Sequence, residues 1–170
     1  MKPWLVIGIG NAFRADDAAG LEVARELARR PAATASPGIM IAESHGEPFS
    51  LLEQMHGFNR VVLVDAIDAG LLPGTVRRYD VSDQALPALS LGTSTHALGL
   101  GEAIELARSL GRLPSTTLVF GIQAGIFDTS TRLSAAVRRA VVETADLILA
   151  ELLPGAVPPG DISNTCLDPS

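Results

Sequence analysis

The chain has 170 residues, is 47% hydrophobic and carries a formal charge of −6. That length suits one domain with a real core, the apolar content excludes wholesale disorder, and the acidic balance without a long basic run excludes a nonspecific nucleic-acid binder. A single cysteine, Cys166, excludes a disulfide framework and a cysteine-based zinc site within one chain. No signal-peptide pattern opens the chain and no apolar run is long enough to cross a bilayer, so the expectation is a cytoplasmic protein without a membrane segment.

In chain order, Leu5–Ile9 reads as a buried strand, followed by the turn Gly8-x-Gly10-Asn11, an acidic pair Asp16-Asp17 and an alanine-rich helix to about Arg30. Asp16 or Asp17 is placed to cap that helix, because a short carboxylate accepts from free backbone N–H groups. Residues 31–38 read as a breaker-rich loop, Ile39–Ala42 as a short strand ended by Glu43, and Pro48 as the opening of a helix through about Met55. Val61–Val64 is the clearest strand, apolar enough to be covered on both faces and ended by Asp65. Thr75–Tyr79 predicts an edge strand, antiparallel to the rest, and 80–94 a loop. A helix follows from His96, capped by Ser94 or Thr95 and stopped at Gly111. Thr116–Ile122 is another buried strand and Leu133–Leu153 a long helix. Residues 154–170, with four prolines, read as a loose tail outside a domain spanning 1–153. Strands alternating with helices predict a single-domain, three-layer α/β/α fold, with a twisted, mostly parallel sheet and helices on both faces.

Residues that follow a strand and precede its helix lie at the carboxyl edge of such a sheet, where open α/β folds keep their sites. Asp17, Asp65 and His96 all fall there by sequence. An imidazole at a helix start is biased towards its neutral, metal-binding form. Two carboxylates and one histidine make an O,O,N set suited to zinc or nickel. Other readings compete. Gly8-x-Gly10, with Glu43 as a ribose-binding acid, suggests a dinucleotide site, but Phe13 stands where the third glycine belongs. Asp65 alone is a strand-exit residue and His96 alone a solvated helix-start histidine. His45 lies in a loop that can face the cleft, while His56 reads as structural. Ser44 and Ser94 lack the Gly-x-Ser-x-Gly context of a nucleophile elbow.

Gly8-Ile9-Gly10-Asn11 with Asp16-Asp17, then Val64-Asp65-Ala66, then Thr95-His96-Ala97-Leu98-Gly99-Leu100, occur in the order and at intervals similar to those of the hydrogenase maturation endopeptidases. Over about residues 4–150 the chain resembles that family, and Pro73-Gly74-Thr75 resembles its turn before an edge strand. The resemblance implies a five-stranded sheet between helices, aspartyl-type peptidase chemistry and a monomer. It implies a [NiFe]-hydrogenase large-subunit precursor as partner, trimmed at its C-terminus after nickel insertion. It assigns Asp17, Asp65 and His96 to a metal-binding cluster that recognises nickel carried by the substrate, with no permanently bound metal and no organic cofactor. The chain departs from the family pattern twice. Asp17 stands where glutamate is common, and 43–48 replaces a glycine- and threonine-rich loop. The alternatives are a hydrolase with resident zinc at the same cluster, a dinucleotide-binding module, and a noncatalytic binding chaperone for the precursor.

Overall fold

The computed structural model describes residues 3–87, 95–125 and 132–153, with backbone alone for 95–98. Its strands are β1 (Trp4–Ile9), β2 (Ile39–Ser44), β3 (Arg60–Ile67), β4 (Val76–Asp80) and β5 (Thr116–Gln123). Its helices are α1 (Ala19–Arg29), α2 (Pro31–Thr34), α3 (Pro48–Met55), α4 (Thr95–Ser109) and α5 (Ala135–Leu152). They form one five-stranded sheet in the order β2-β1-β3-β5-β4. The first four of these strands run parallel and β4 closes the edge antiparallel to β5.

The alternation of side chains along β3 sorts the core into two layers. Val62, Val64 and Ala66 pack with Val23 and Leu27 of α1 and Val137, Val141 and Ile148 of α5. Val61, Leu63 and Ile67 pack with Leu51 and Met55 of α3 and Leu100, Ile104 and Ala107 of α4. With both faces covered, the central strands are apolar on both sides, which is why they read as continuous runs in the sequence. Helix α1 lies so close to the sheet that only glycine fits where they cross. A Cβ at Gly20 would stand 2.2 Å from the Ile9 carbonyl oxygen and 2.3 Å from that of Val64.

Three local expectations are corrected. Neither Asp16 nor Asp17 caps α1: its N-cap is Ala18, without a side-chain hydrogen bond, because Ala15–Ala18 form a 3-10 turn ahead of the helix. β3 does not stop at Asp65 but pairs with β5 through Ile67, since the backbone ladder is indifferent to one polar side chain. Residues 31–34, expected as loop, make the single turn α2, with Pro31 in the first turn where its missing N–H costs nothing. The other elements stand close to their expected bounds. Gly111, at φ 63°, takes the left-handed conformation that ends α4. Ser94 and the 154–170 tail lie outside the described residues. No described helix is long and apolar enough to cross a membrane.

Candidate functional site

From β1 the chain crosses to β2 on one side and then returns, through α3, to β3 on the other side of β1. The connections leaving β1 and β3 therefore diverge outside their carboxyl ends. This is the topological switch point at which open α/β sheets bind ligands. Asp17 enters it from the 3-10 turn after β1, and that turn packs against β3. Asp65 enters from β3 itself, at a position with the parity of Val61, Leu63 and Ile67, the face covered by α3 and α4. Both carboxylates are buried, Asp17 at 1% and Asp65 at 0% exposure. His96 belongs to the first turn of α4, one turn before Leu100, which is buried against that same face. Its side chain lies outside the described residues, as do those of 97 and 98.

The turn that carries Asp17 is bent sharply back on β1. Asn11 N–H donates to the Asp17 carbonyl at 3.2 Å, and Asp17 N–H donates to the Arg14 carbonyl at 2.9 Å. A Cβ at Gly10 would lie 2.3 Å from the Asp17 carbonyl oxygen, so the bend needs glycine there. Ala15, at φ 44°, is the one non-glycine residue with positive φ among the described residues. That conformation costs about 1–2 kcal/mol outside glycine, and strain of this kind concentrates at functional turns.

The two adjacent acids are used differently. Asp16, fully buried, accepts hydrogen bonds from Gly125 N–H at 2.9 Å, Ser134 N–H at 2.7 Å and the Ser134 hydroxyl at 2.9 Å. Ser134 Oγ in turn accepts from Val137 N–H and caps α5. Asp16 thus fastens the turn to the exit of β5 and the entry of α5. It is a structural acid that holds the N-cap residue of a helix far away in sequence.

Several other readings are settled by placement. Glu43 is held by a forked pair from Arg25, Nε to Oε1 at 3.0 Å and a terminal nitrogen to Oε2 at 3.1 Å. It is thereby engaged on the surface beside α1, and its hydrogen bonds raise the already high guanidinium pKa of Arg25. The ribose-binding role suggested for Glu43 has no support from this arrangement. His45 is exposed in the β2–α3 loop and His56 is exposed at the end of α3, at the opposite edge of the sheet. Ser44 is buried and its hydroxyl accepts from Gly46 N–H at 3.2 Å.

Two residues that shape this edge were passed over in the sequence. Gln123 ends β5 and accepts from Ala69 N–H at 2.8 Å and Leu71 N–H at 3.3 Å, so it organises the excursion that follows β3. Its signal was a polar residue at the end of an otherwise apolar run. Ser134 was absorbed into a helix begun two residues too early, although Ser before an apolar periodic run is an N-cap signature.

The fold is an open α/β domain with two buried carboxylates at its switch point. Its backbone superposes on the hydrogenase maturating endopeptidase HybD from E. coli with a TM-score of 0.73 at 25% identity, covering 88% of this chain and 91% of that one. In sequence, the hydrogenase expression/formation protein HupD of Bradyrhizobium diazoefficiens is 32% identical over 86% of this chain and 78% of its own length. HupD of Thiocapsa roseopersicina is 33% identical over 70% of this chain. The match spans about half, 53%, of that longer relative. The family model described as hydrogenase maturation protease matches residues 21–151. The chain belongs to the hydrogenase maturation proteases, a family of peptidases.

Proposed function

We propose that this protein is an endopeptidase that removes the C-terminal peptide of a [NiFe]-hydrogenase large-subunit precursor after nickel insertion. Asp17, Asp65 and His96 recognise the nickel carried by that substrate. The observation that carries the reading is the pair of buried carboxylates at the switch point of a chain belonging to this family. A carboxylate at such an edge serves as a metal ligand or takes the proton of an attacking water. His96, entering from the first turn of α4, adds the nitrogen ligand that borderline metals favour. Ligands on three separate elements hold their geometry through the core beneath them, so a metal brought by the substrate meets a preformed half-site.

Recognition through the substrate's nickel makes insertion a condition of cleavage. The precursor without metal lacks the ligand contacts and binds more weakly by their free energy. The enzyme needs no organic cofactor, acts as a monomer and works in the cytoplasm, where its precursor is assembled. Asp17→Asn, Asp65→Asn and His96→Ala each keep the fold, as judged by circular dichroism and melting temperature. Each abolishes removal of the peptide from a nickel-loaded precursor. Normal processing by these variants overturns the site assignment. Protein purified without added metal contains nickel and zinc well below one per chain; stoichiometric zinc would instead identify a resident-metal hydrolase.

A further inference from the structure

Large apolar side chains left in water call for explanation when they gather on one part of a surface. Phe13, Phe49 and Leu72 are exposed at 75%, 68% and 81%. Each lies in the connection that leaves the carboxyl end of a strand: Phe13 after β1, Phe49 after β2 and Leu72 after β3. They therefore stand around the edge that carries Asp17 and Asp65.

All three are displayed on pinned backbone. Phe13 N–H donates to the Asn11 side-chain oxygen at 3.0 Å, and Arg14 N–H to the Asn11 carbonyl at 3.2 Å. Phe49 sits in the first turn of α3. Its N–H donates to the Glu47 carboxylate at 3.1 Å, and Ser50 N–H donates to the same carboxylate at 2.8 Å. The loop ahead of it is seated on α4: a Cβ at Gly99 would lie 2.5 Å from the Gly46 carbonyl oxygen. The Leu72 carbonyl accepts from both Thr75 N–H at 3.0 Å and the Thr75 hydroxyl at 2.6 Å. The same excursion is held from below by Gln123, and Gly74 N–H donates to the Gln123 carbonyl at 2.8 Å. An apolar side chain on a fixed backbone loses little entropy on contact, which is the property of an interface anchor.

We propose that Phe13, Phe49 and Leu72 are three preorganised anchors of a docking surface for the folded body of the precursor. On this assignment, which rests on the function proposed above, they hold the precursor while its C-terminal segment reaches the buried carboxylates. Burial supports the division of labour. A scissile segment that reaches acids at 1% exposure and below has to enter as a thin strand of chain, so most of the contact with a folded partner falls on the rim. The scale fits as well. Adjacent strands lie about 4.8 Å apart, so connections leaving β2, β1 and β3 span roughly 10 Å, within a standard interface of about 800 Å² per partner. The partner surface that complements such a rim is apolar.

The test uses full-length protein and a nickel-loaded precursor, with Phe13→Ser, Phe49→Ser and Leu72→Ser singly and together. Leu110→Ser and Val142→Ser are controls, since both positions are exposed, at 53% and 46%, away from this edge. Each rim variant raises KM or the dissociation constant about 5- to 30-fold, the range of a moderate hot spot, and the triple variant more. The turnover rate at saturating precursor and the melting temperature stay near wild type, and the controls leave all four quantities unchanged. Wild-type KM in the triple variant overturns the rim, as does an equal effect in the controls. A wild-type protein that neither binds nor trims the precursor overturns the function itself, and with it this assignment.

Discussion

Removing the Asp16 carboxylate is the sharpest way to separate the two adjacent acids. Among the described residues Asp16 receives three hydrogen bonds, two from backbone N–H groups and one from the hydroxyl that caps α5. Hydrogen bonds to a charged group contribute about 1.5–3 kcal/mol each, but bonds to one carboxylate are coupled and do not add in full. Asp16→Ala also leaves three donors without their acceptor. A net loss of about 3–5 kcal/mol follows, a large share of the 5–15 kcal/mol typical of a domain. For a chain of this size that is a drop in melting temperature of roughly 6–20 °C. Ser134→Ala removes one of the three bonds and the Val137 cap, and costs about 1 kcal/mol. Added to Asp16→Ala it costs only the Val137 cap, because the bond between the two side chains is already gone. Urea unfolding of the two single variants and the double variant gives the coupling directly. A melting temperature for Asp16→Ala within about 2 °C of wild type would refute the structural role, and strict additivity would refute the connection to Ser134.

Gly20→Ala drives a Cβ into carbonyl oxygens of both β1 and β3 at 2.2 and 2.3 Å. The helix has to lift from the sheet, and the expected loss exceeds about 3 kcal/mol, seen as poor soluble yield or a collapsed thermal transition. The Arg25–Glu43 pair is largely exposed, so a double-mutant cycle gives a coupling of at most about 1 kcal/mol; Glu43→Ala leaves processing unchanged. Burial pushes the Asp80 carboxyl up. The Ser82 hydroxyl and N–H bonds and the Arg78 charge outweigh that and hold it below its ordinary 3.8. Its contribution to stability is therefore complete above the ordinary carboxylate range and is lost as pH falls through the lowered value. Ser82→Ala reduces that acid-side loss, which stability curves between pH 2 and about 5 would reveal.

Much of the fold was legible because its signals are local. Val61–Val64 and Thr116–Ile122 are apolar on both faces as central strands must be, and the arginines of Thr75–Tyr79 marked the strand that lies at the edge. Pro48 and Gly111 punctuate helices in positions where their backbone preferences leave little choice. The errors arose where distant parts of the chain decide. The sequence shows Asp16 next to a helix start, so a cap for α1 is the local answer. Its hydrogen bonds go instead to Gly125 and Ser134, more than a hundred residues away. Asp65 reads as the end of β3 from its polarity alone, but β5 carries the ladder two residues further. Part of the candidate site was legible for a topological reason. Asp17 follows β1 and Asp65 lies near the carboxyl end of β3, and parallel strands deliver such residues to one edge. The roles of Gln123 and Ser134 depend on which loops fold over that edge, which periodicity does not encode.

The central claim is that this protease acts on a metal-loaded precursor. The most direct measurement is incubation of the purified protein with nickel-loaded and nickel-free large-subunit precursor, read by mass spectrometry. The expected result is loss of a C-terminal peptide from the loaded precursor and an unchanged mass for the nickel-free one. Equal cleavage of both would contradict nickel recognition, and cleavage of neither would contradict the proposed activity.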